Sequence, residues 1–167
     1  LFLDEVIKQC VNMGICEKAN LNVIYTPLNG TGNKPVRKIL DRIGVKNIHI
    51  VPEQENPDGN FPTCPFPNPE IKQAFECALK LAENVKPDLL LATDPDCDRV
   101  GIAVNNGNGE FQLMTGNEVG AMLLNYLLSQ KKEQGTLSKN SIAVKSFVST
   151  DLAEVIAKKY NCTFKHL

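Results

Sequence analysis

The chain has 167 residues, of which 43% are hydrophobic and 22% are charged; this suits one medium domain, or one domain plus part of another, and excludes wholesale disorder. Its 18 basic residues nearly balance 19 acidic ones, so it offers no broad electrostatic footprint for nucleic acid. No apolar stretch approaches the roughly 20 residues that span a bilayer, and we expect no membrane contact.

Helical and strand patterns alternate along the first part of the chain. Apolar residues spaced three and four apart predict a helix over 3–11, and a β-favouring run predicts a strand over 21–26. The glycine-rich segment 27–33 then predicts a loop, followed by a helix over 34–43 and a strand over 47–51.

Six prolines within residues 52–69 exclude helix and central strand, which predicts a long irregular loop. Asn68 resembles a helix cap, and an apolar stripe predicts a helix over 69–85. The continuously apolar run 88–93 is typical of a strand buried on both faces, and 100–104 predicts the next strand.

Helix and strand patterns continue in the later part of the chain. Residues 115–118 fit a capping box, and the apolar face of a helix follows over 119–127. The polar stretch 131–140 predicts a linker, and beyond it the pattern predicts a strand over 141–148 and a helix over 152–160.

These elements predict an α/β fold. We expect a three-layer α/β/α domain with a small mixed, mostly parallel sheet over 1–134, followed over 135–167 by a linker and the truncated βα unit of a second similar domain. Ligands of such sheets gather beyond the carboxyl ends of the strands. The loops 27–33 and 94–99 both follow strands, so parallel strands would bring them to one rim.

The second of these loops carries three carboxylates within five residues, Asp94, Asp96 and Asp98. Like charges at ~4 Å repel by about 1 kcal/mol in water and about 4 kcal/mol at an effective dielectric of 20, and a cation relieves that cost. Hard oxygen ligands favour Mg²⁺, and the neighbouring Arg99 offers a fork of donors that matches a phosphate. A solvated acidic turn is the simpler alternative.

Other classes of protein place acidic residues in similar loops. An EF-hand needs Gly and Glu where Arg99 and Asn105 stand, which excludes it. A haloacid-dehalogenase-like phosphatase with Asp94 as the nucleophile stays open, although Asp98 replaces the usual Thr or Val of its motif. A non-catalytic Mg²⁺-binding or interaction module stays open as well.

The run Leu91-Ala92-Thr93-Asp94-Pro95-Asp96-Cys97-Asp98-Arg99-Val100-Gly101 resembles the metal-binding loop of the α-D-phosphohexomutase superfamily, the phosphoglucomutases and phosphomannomutases. Its D-P-D-x-D-R form is similar to the phosphoglucomutase and phosphopentomutase branch. The order and spacing of further runs resemble the second of the four family domains: 25–32, 51–54, 61–63, 67–70 and 115–118. Residues 149–152 resemble the opening of the third.

The resemblance implies a fragment of a phosphosugar mutase of the reversible glucose 1-phosphate/glucose 6-phosphate type. It implies that three carboxylates hold Mg²⁺ and that Arg99 contacts a phosphate; the three are Asp94, Asp96 and Asp98. Asn29, where many members have His, is an expected part of the active-site rim, together with Gly30 and Gly32.

The resemblance implies that the other components of the active enzyme lie outside this chain. Members react through a phosphoserine of their first domain, so we assign no catalytic residue here. The partners implied are a phosphosugar, a sugar bisphosphate activator and the other domains of a longer, cytoplasmic parent chain. Leu1 is not an initiator Met, which fits an excised piece, and we expect the isolated chain to be inactive.

Overall fold

Two apolar runs form the buried centre of a five-stranded sheet in the computed structural model, which describes residues 1–167. They are β1 (Asn22–Thr26) and β3 (Leu89–Thr93), which lie side by side and parallel. β2 (Asn47–Ile50) extends the sheet in parallel beyond β1. On the other side, β4 (Val100–Asn105) and then β5 (Phe111–Leu113) are antiparallel. The α/β fold with a mixed sheet is thereby confirmed.

Helices cover both faces of this sheet. α4 (Glu76–Val85) contributes its buried alanines to a core that includes Ile24 of β1. Because alternate residues of a strand point to opposite faces, Tyr25 points away from α4, and α3 (Asn33–Arg42) begins beside its hydroxyl. A short helix, α1 (Phe2–Ile7), packs on α3.

The proline-rich segment is irregular, as predicted, apart from short 3₁₀ helices at Pro52–Gln54 and Lys72–Phe75. Gln54 anchors this segment to the sheet because its fully buried amide joins two hydroxyls. Its Oε1 accepts a hydrogen bond of 2.7 Å from Thr26 Oγ1, and its Nε2 donates one of 3.0 Å to Thr63 Oγ1. The loop is thereby held against the carboxyl end of β1.

Two predicted helices differ from the structure. The helix predicted over 3–11 is confirmed only as far as Ile7, where α1 ends; α2 (Ile15–Ala19) follows Gly14, whose φ is 81°. The helix predicted over 69–85 begins later, since Asn68 does not cap it. The Asn68 side chain instead accepts a hydrogen bond from the Glu70 N–H within a turn.

The chain divides into two compact units, Leu1–Met114 and Thr115–Leu167. In the second unit, α5 (Gly116–Glu133) begins at the predicted capping box, which is confirmed. It packs against α6 (Leu152–Lys159), which connects the parallel strands β6 (Ile142–Lys145) and β7 (Thr163–His166).

The second unit therefore contains a β–α–β arrangement and a long helix, which is more than the βα unit that we expected. β7 had not been predicted. The domain ranges 1–134 and 135–167 stay a prediction, while packing groups α5 with the residues that follow it. No helix of the chain is both long and apolar enough to cross a membrane.

The buried amide of Gln54 yields a first prediction. Replacing it in Gln54→Leu leaves two hydroxyls without their partner, and we expect the free energy of unfolding to fall by about 1–3 kcal/mol. Urea unfolding followed by circular dichroism measures the change. Gln73→Leu is the matched control, because Gln73 is exposed and its substitution should shift the transition little. Equal shifts in the two variants would contradict the anchoring role of Gln54.

Candidate metal centre

The parallel pairing of β1 and β3 brings two loops to one edge of the sheet. Thr26 is in register with Ala92, so the segment 27–32 after β1 and the segment 94–99 after β3 leave the sheet side by side. The expectation that both loops share one rim is confirmed. The two loops are in direct contact, since the Thr31 N–H donates a hydrogen bond of 2.8 Å to the Pro95 carbonyl oxygen.

Three carboxylates converge in the second loop. One oxygen from each of Asp94, Asp96 and Asp98 lies within 4.8 Å of the others. Asp94 is 1% exposed, whereas the other two face solvent. Asp96 makes no hydrogen bond or ion pair to the protein, so its carboxylate is available to a ligand.

Arg99 closes the loop onto its buried acid. Its backbone N–H donates a hydrogen bond of 2.9 Å to Asp94 Oδ1, and its Nε donates one of 2.7 Å to Asp94 Oδ2. The side chain of Arg99 is nevertheless 52% exposed, and its terminal nitrogens have no hydrogen-bond partner in the protein. The guanidinium therefore neutralises one carboxylate with one edge and presents free donors with the other.

Neighbouring groups in the loop shift the pKa values of two of these carboxyl groups. Burial acts to raise the pKa of Asp94, but hydrogen bonds from the Arg99 backbone and side chain hold that pKa below its ordinary value. A hydrogen bond with Asp94, together with the charge of Asp96, raises the pKa of Asp98. Two exposed carboxylates and one buried carboxylate, with oxygens this close, suit a small hard cation, which would relieve the repulsion between them.

Glycine permits the close approach of the two loops. A Cβ on Gly30 would collide with the Pro95 Cα and lie 2.5 Å from its carbonyl oxygen. A Cβ on Gly32 would lie 2.7 Å from both the Tyr25 hydroxyl and the Thr93 Oγ1. These two hydroxyls share a buried hydrogen bond of 2.8 Å below the acidic loop. The glycines thus allow the first loop to support the second.

Asn29 lies on the same rim, but its side chain points toward the proline-rich loop. Its Nδ2 donates hydrogen bonds of 3.3 Å to the Glu53 carbonyl oxygen and 2.9 Å to that of Asn56. The structure therefore gives Asn29 a positioning contact. The roles that we expect at an active-site rim for Asn29, Gly30 and Gly32 stay predictions.

The sequence did not reveal that the proline-rich loop forms a wall of the candidate site. A cavity of about 560 Å³ lies beside the acidic loop. Asp94, Pro95, Asp96 and Arg99 line one side, and Phe66, Pro67, Asn68 and Ile71 line the other. The residue Phe66 is 79% exposed. Its backbone is held in place, because its carbonyl oxygen accepts hydrogen bonds from the Cys64 thiol and the Asn68 N–H. The density of prolines predicted a loop, but only the tertiary structure reveals its neighbours.

A second cavity, of about 340 Å³, lies within the second unit. Lys145 lines it, and its nearly buried ammonium donates a hydrogen bond of 2.7 Å to the Ser149 carbonyl oxygen and pairs with Asp151 at 2.6 Å. Sequence reasoning missed this lysine because a single Lys within a strand carries no signal of its partners.

The structure thus places an acidic loop at the carboxyl end of a central strand of an α/β sheet. Residues 1–108 match the family described as phosphoglucomutase/phosphomannomutase, alpha/beta/alpha domain II. The chain therefore belongs to the phosphoglucomutase/phosphomannomutase family. A phosphoglucomutase of Staphylococcus aureus (strain USA300) is 34% identical over 165 residues, which cover 98% of the chain and 29% of that relative. The chain thus spans less than a third of the length of this curated relative.

Solved structures share the fold. A putative phosphomannomutase from Thermus thermophilus has a TM-score of 0.68 at 20% identity, over 99% of this chain and 35% of that one. Aspergillus fumigatus N-acetylphosphoglucosamine mutase, solved in complex with GlcNAc-6P and magnesium, has a TM-score of 0.56 at 17% identity. That match covers 87% of this chain and 28% of the fungal protein.

The contact between the two loops yields a second prediction. In Gly30→Ala, the added methyl group forces the first loop away from Pro95, and we expect the free energy of unfolding to fall by about 1–3 kcal/mol. Amide hydrogen exchange should also become faster at Thr31, whose N–H bonds to Pro95. Gly59→Ala is the control, because a Cβ there meets nothing within 4 Å. Unchanged exchange at Thr31 would contradict the proposed contact.

Proposed function

We propose that this chain supplies the metal-binding part of a phosphosugar mutase, an intramolecular phosphotransferase of the reversible glucose 1-phosphate/glucose 6-phosphate type. In this proposal Mg²⁺ is the cofactor and a phosphosugar is the substrate. The carboxylates of Asp94, Asp96 and Asp98 hold the metal, and Arg99 contacts a phosphate. The remaining catalytic parts belong to other domains of a longer protein.

One observation carries the proposal: a cluster of acidic oxygens and a partly free guanidinium lie on the same loop. The three carboxylates approach within 4.8 Å, and the Arg99 Nε lies 2.7 Å from Asp94 and 3.7 Å from Asp98. A cation site and an anion site are therefore adjacent. A phosphoryl group bound to a metal needs both at once.

The buried and the exposed residues of the site would have different roles in binding the metal and the phosphate. Asp94 is fixed by its bonds to Arg99, so its position does not depend on the ligand. Asp96 and Asp98 are exposed and can adjust to the metal. The outward nitrogens of Arg99 can grip a phosphoryl oxygen through charge-assisted hydrogen bonds. A bound Mg²⁺ would offset negative charge on the transferred group.

The family relatives support the choice of substrate class. The curated relative at 34% identity is named a phosphoglucomutase, which favours a glucose phosphate for this chain. The Aspergillus fumigatus mutase was solved with a sugar phosphate and magnesium together, which supports the same pair of ligands here. We also propose that the phosphoserine and a sugar bisphosphate activator act in the assembled enzyme.

The geometry of Asp94 argues against the alternative in which it attacks a phosphate as the nucleophile. Both of its oxygens accept hydrogen bonds from Arg99, and the residue is only 1% exposed. Each oxygen keeps a second lone pair that can coordinate a small cation, whereas attack on phosphorus needs room for a phosphoryl group beside the oxygen, and this buried side chain offers little. Asp94 is better suited to hold a metal and orient Arg99 than to form an aspartyl phosphate.

Metal binding yields a third prediction. Titration of the chain with Mg²⁺ in a calorimeter should reveal a site that Asp96→Asn weakens by at least about tenfold, because one ligand oxygen loses its charge. Glu83→Gln makes the same chemical change at an exposed acid outside the acidic loop and should leave the affinity unchanged. Equal Mg²⁺ binding by Asp96→Asn and the unaltered chain would exclude the proposed site.

Catalysis yields a fourth prediction. The chain alone, supplied with glucose 1-phosphate, Mg²⁺ and glucose 1,6-bisphosphate, should form no glucose 6-phosphate. A longer protein that contains it should turn over, and Asp96→Asn in that protein should lower kcat/KM by about 10²-fold or more. Glu83→Gln should retain activity.

Turnover by the chain alone would overturn the assignment of the nucleophile to another domain. Full activity of the longer Asp96→Asn protein would favour a non-catalytic role for the metal loop.

A further inference from the structure

The turn between β4 and β5 contains two consecutive Asn-Gly pairs, Asn106-Gly107 and Asn108-Gly109. A third pair, Asn29-Gly30, lies at the rim of the sheet. In an Asn-Gly sequence the backbone nitrogen of the glycine can attack the side-chain amide of the asparagine, because no Cβ on the glycine obstructs the approach. The reaction requires a mobile side chain and a backbone N–H that is free of other bonds.

Hydrogen bonds restrain the first pair. Asn106 Oδ1 accepts bonds of 2.9 Å from the Asn108 N–H and 3.4 Å from the Glu110 N–H. Its Nδ2 donates to Glu110 Oε2 at 3.3 Å. The attacking nitrogen, that of Gly107, donates a bond of 2.8 Å to Asn105 Oδ1. Both reacting groups of this pair are therefore engaged.

Burial restrains the pair at the rim. Asn29 is 7% exposed, and its amide is held by the carbonyl oxygens of Glu53 and Asn56. The Gly30 N–H donates a bond of 2.8 Å to the Pro27 carbonyl oxygen. Neither the side chain nor the backbone nitrogen of this pair can move to react without opening the core of the first unit.

The second pair of the turn has none of these restraints. Asn108 and Gly109 are both exposed, the Asn108 side chain makes no hydrogen bond, and the Gly109 N–H has no partner. A Cβ on Gly109 would meet nothing within 4 Å, so the space around the attacking nitrogen is open. The same turn thus holds one restrained Asn-Gly pair and one free pair.

We propose that Asn108 is a site of spontaneous deamidation, whereas the folded structure protects Asn106 and Asn29. The Gly109 nitrogen forms a bond to Cγ of Asn108, the bond from Cγ to Nδ2 breaks, and ammonia leaves with the proton from the Gly109 N–H. The product is a five-membered succinimide. Water then opens the ring at either carbonyl and yields aspartate or isoaspartate, and each event adds one negative charge.

The modification falls at the far end of β4 from the acidic loop. β4 begins at Val100, directly after Arg99, and ends at Asn105, about 17 Å along the strand at 3.3–3.4 Å per residue. The new carboxylate lies two residues before Glu110 in the chain, and isoaspartate adds a methylene to the backbone of the turn. We therefore expect weaker pairing of β4 with β5 and little change at the candidate metal centre.

Peptide mapping by mass spectrometry tests the proposal. The folded chain is incubated at mildly alkaline pH, and deamidation is followed at all three Asn-Gly pairs. Asn108 should react at least about tenfold faster than Asn106 or Asn29, because the restrained pairs must first break several hydrogen bonds. In concentrated urea the three rates should converge. Slow reaction at Asn29 in buffer confirms that the chain is folded during the comparison.

Variants test whether the hydrogen bonds of the fold, and not the Asn-Gly sequence by itself, set the rate of deamidation. Asn108→Gln should abolish the acidic species that appears on ion exchange, whereas Asn106→Gln should retain it. Asn105→Ala removes the acceptor of the Gly107 N–H and should raise the rate at Asn106. Equal rates at Asn106 and Asn108 in the folded chain, or a rate at Asn108 as slow as that at Asn29, would overturn the proposal.

Discussion

The candidate site depends on the pairing of Asp94 with Arg99. A carboxylate that is 1% exposed is costly unless it is paired, and removing one partner of such a pair leaves an uncompensated buried charge. Arg99 supplies two hydrogen bonds, at 2.9 Å from its backbone and 2.7 Å from its side chain, and these close the turn between β3 and β4. The closed turn holds the solvent-exposed carboxylates of Asp96 and Asp98 close to the buried carboxylate of Asp94. Their mutual repulsion is then built into the fold, and a cation can relieve it.

The sheet supplies the geometry that this pairing needs. Because β1 and β3 are parallel neighbours, the loop after β1 reaches Pro95 and supports the acidic turn from the side. The absence of a side chain at Gly30 permits that contact, and the hydroxyls of Tyr25 and Thr93 join below the turn. The loop is therefore fixed from two directions. Because the backbone of the loop is already fixed, a metal can bind there without the cost of ordering the chain first.

Much of this arrangement could be predicted from sequence because it depends on local patterns. Apolar runs predict the central strands, glycine and proline predict the loops between them, and the spacing of Asp94, Asp96 and Asp98 predicts a metal site at a sheet edge. Short elements such as β5 and β7 carry too few residues for a periodic signal. The burial of Asp94 and the position of Phe66 beside it depend on contacts between distant segments, which no local pattern encodes.

A crystal structure of the chain grown with Mn²⁺ would test the metal site most directly, because Mn²⁺ replaces Mg²⁺ at oxygen sites and its anomalous scattering locates it. We expect one anomalous peak at the acidic loop, within about 2–2.5 Å of carboxylate oxygens from Asp94, Asp96 and Asp98. We also expect the Arg99 side chain to remain on Asp94. A loop without a peak while Mn²⁺ binds elsewhere on the chain would contradict the assignment of these carboxylates as metal ligands.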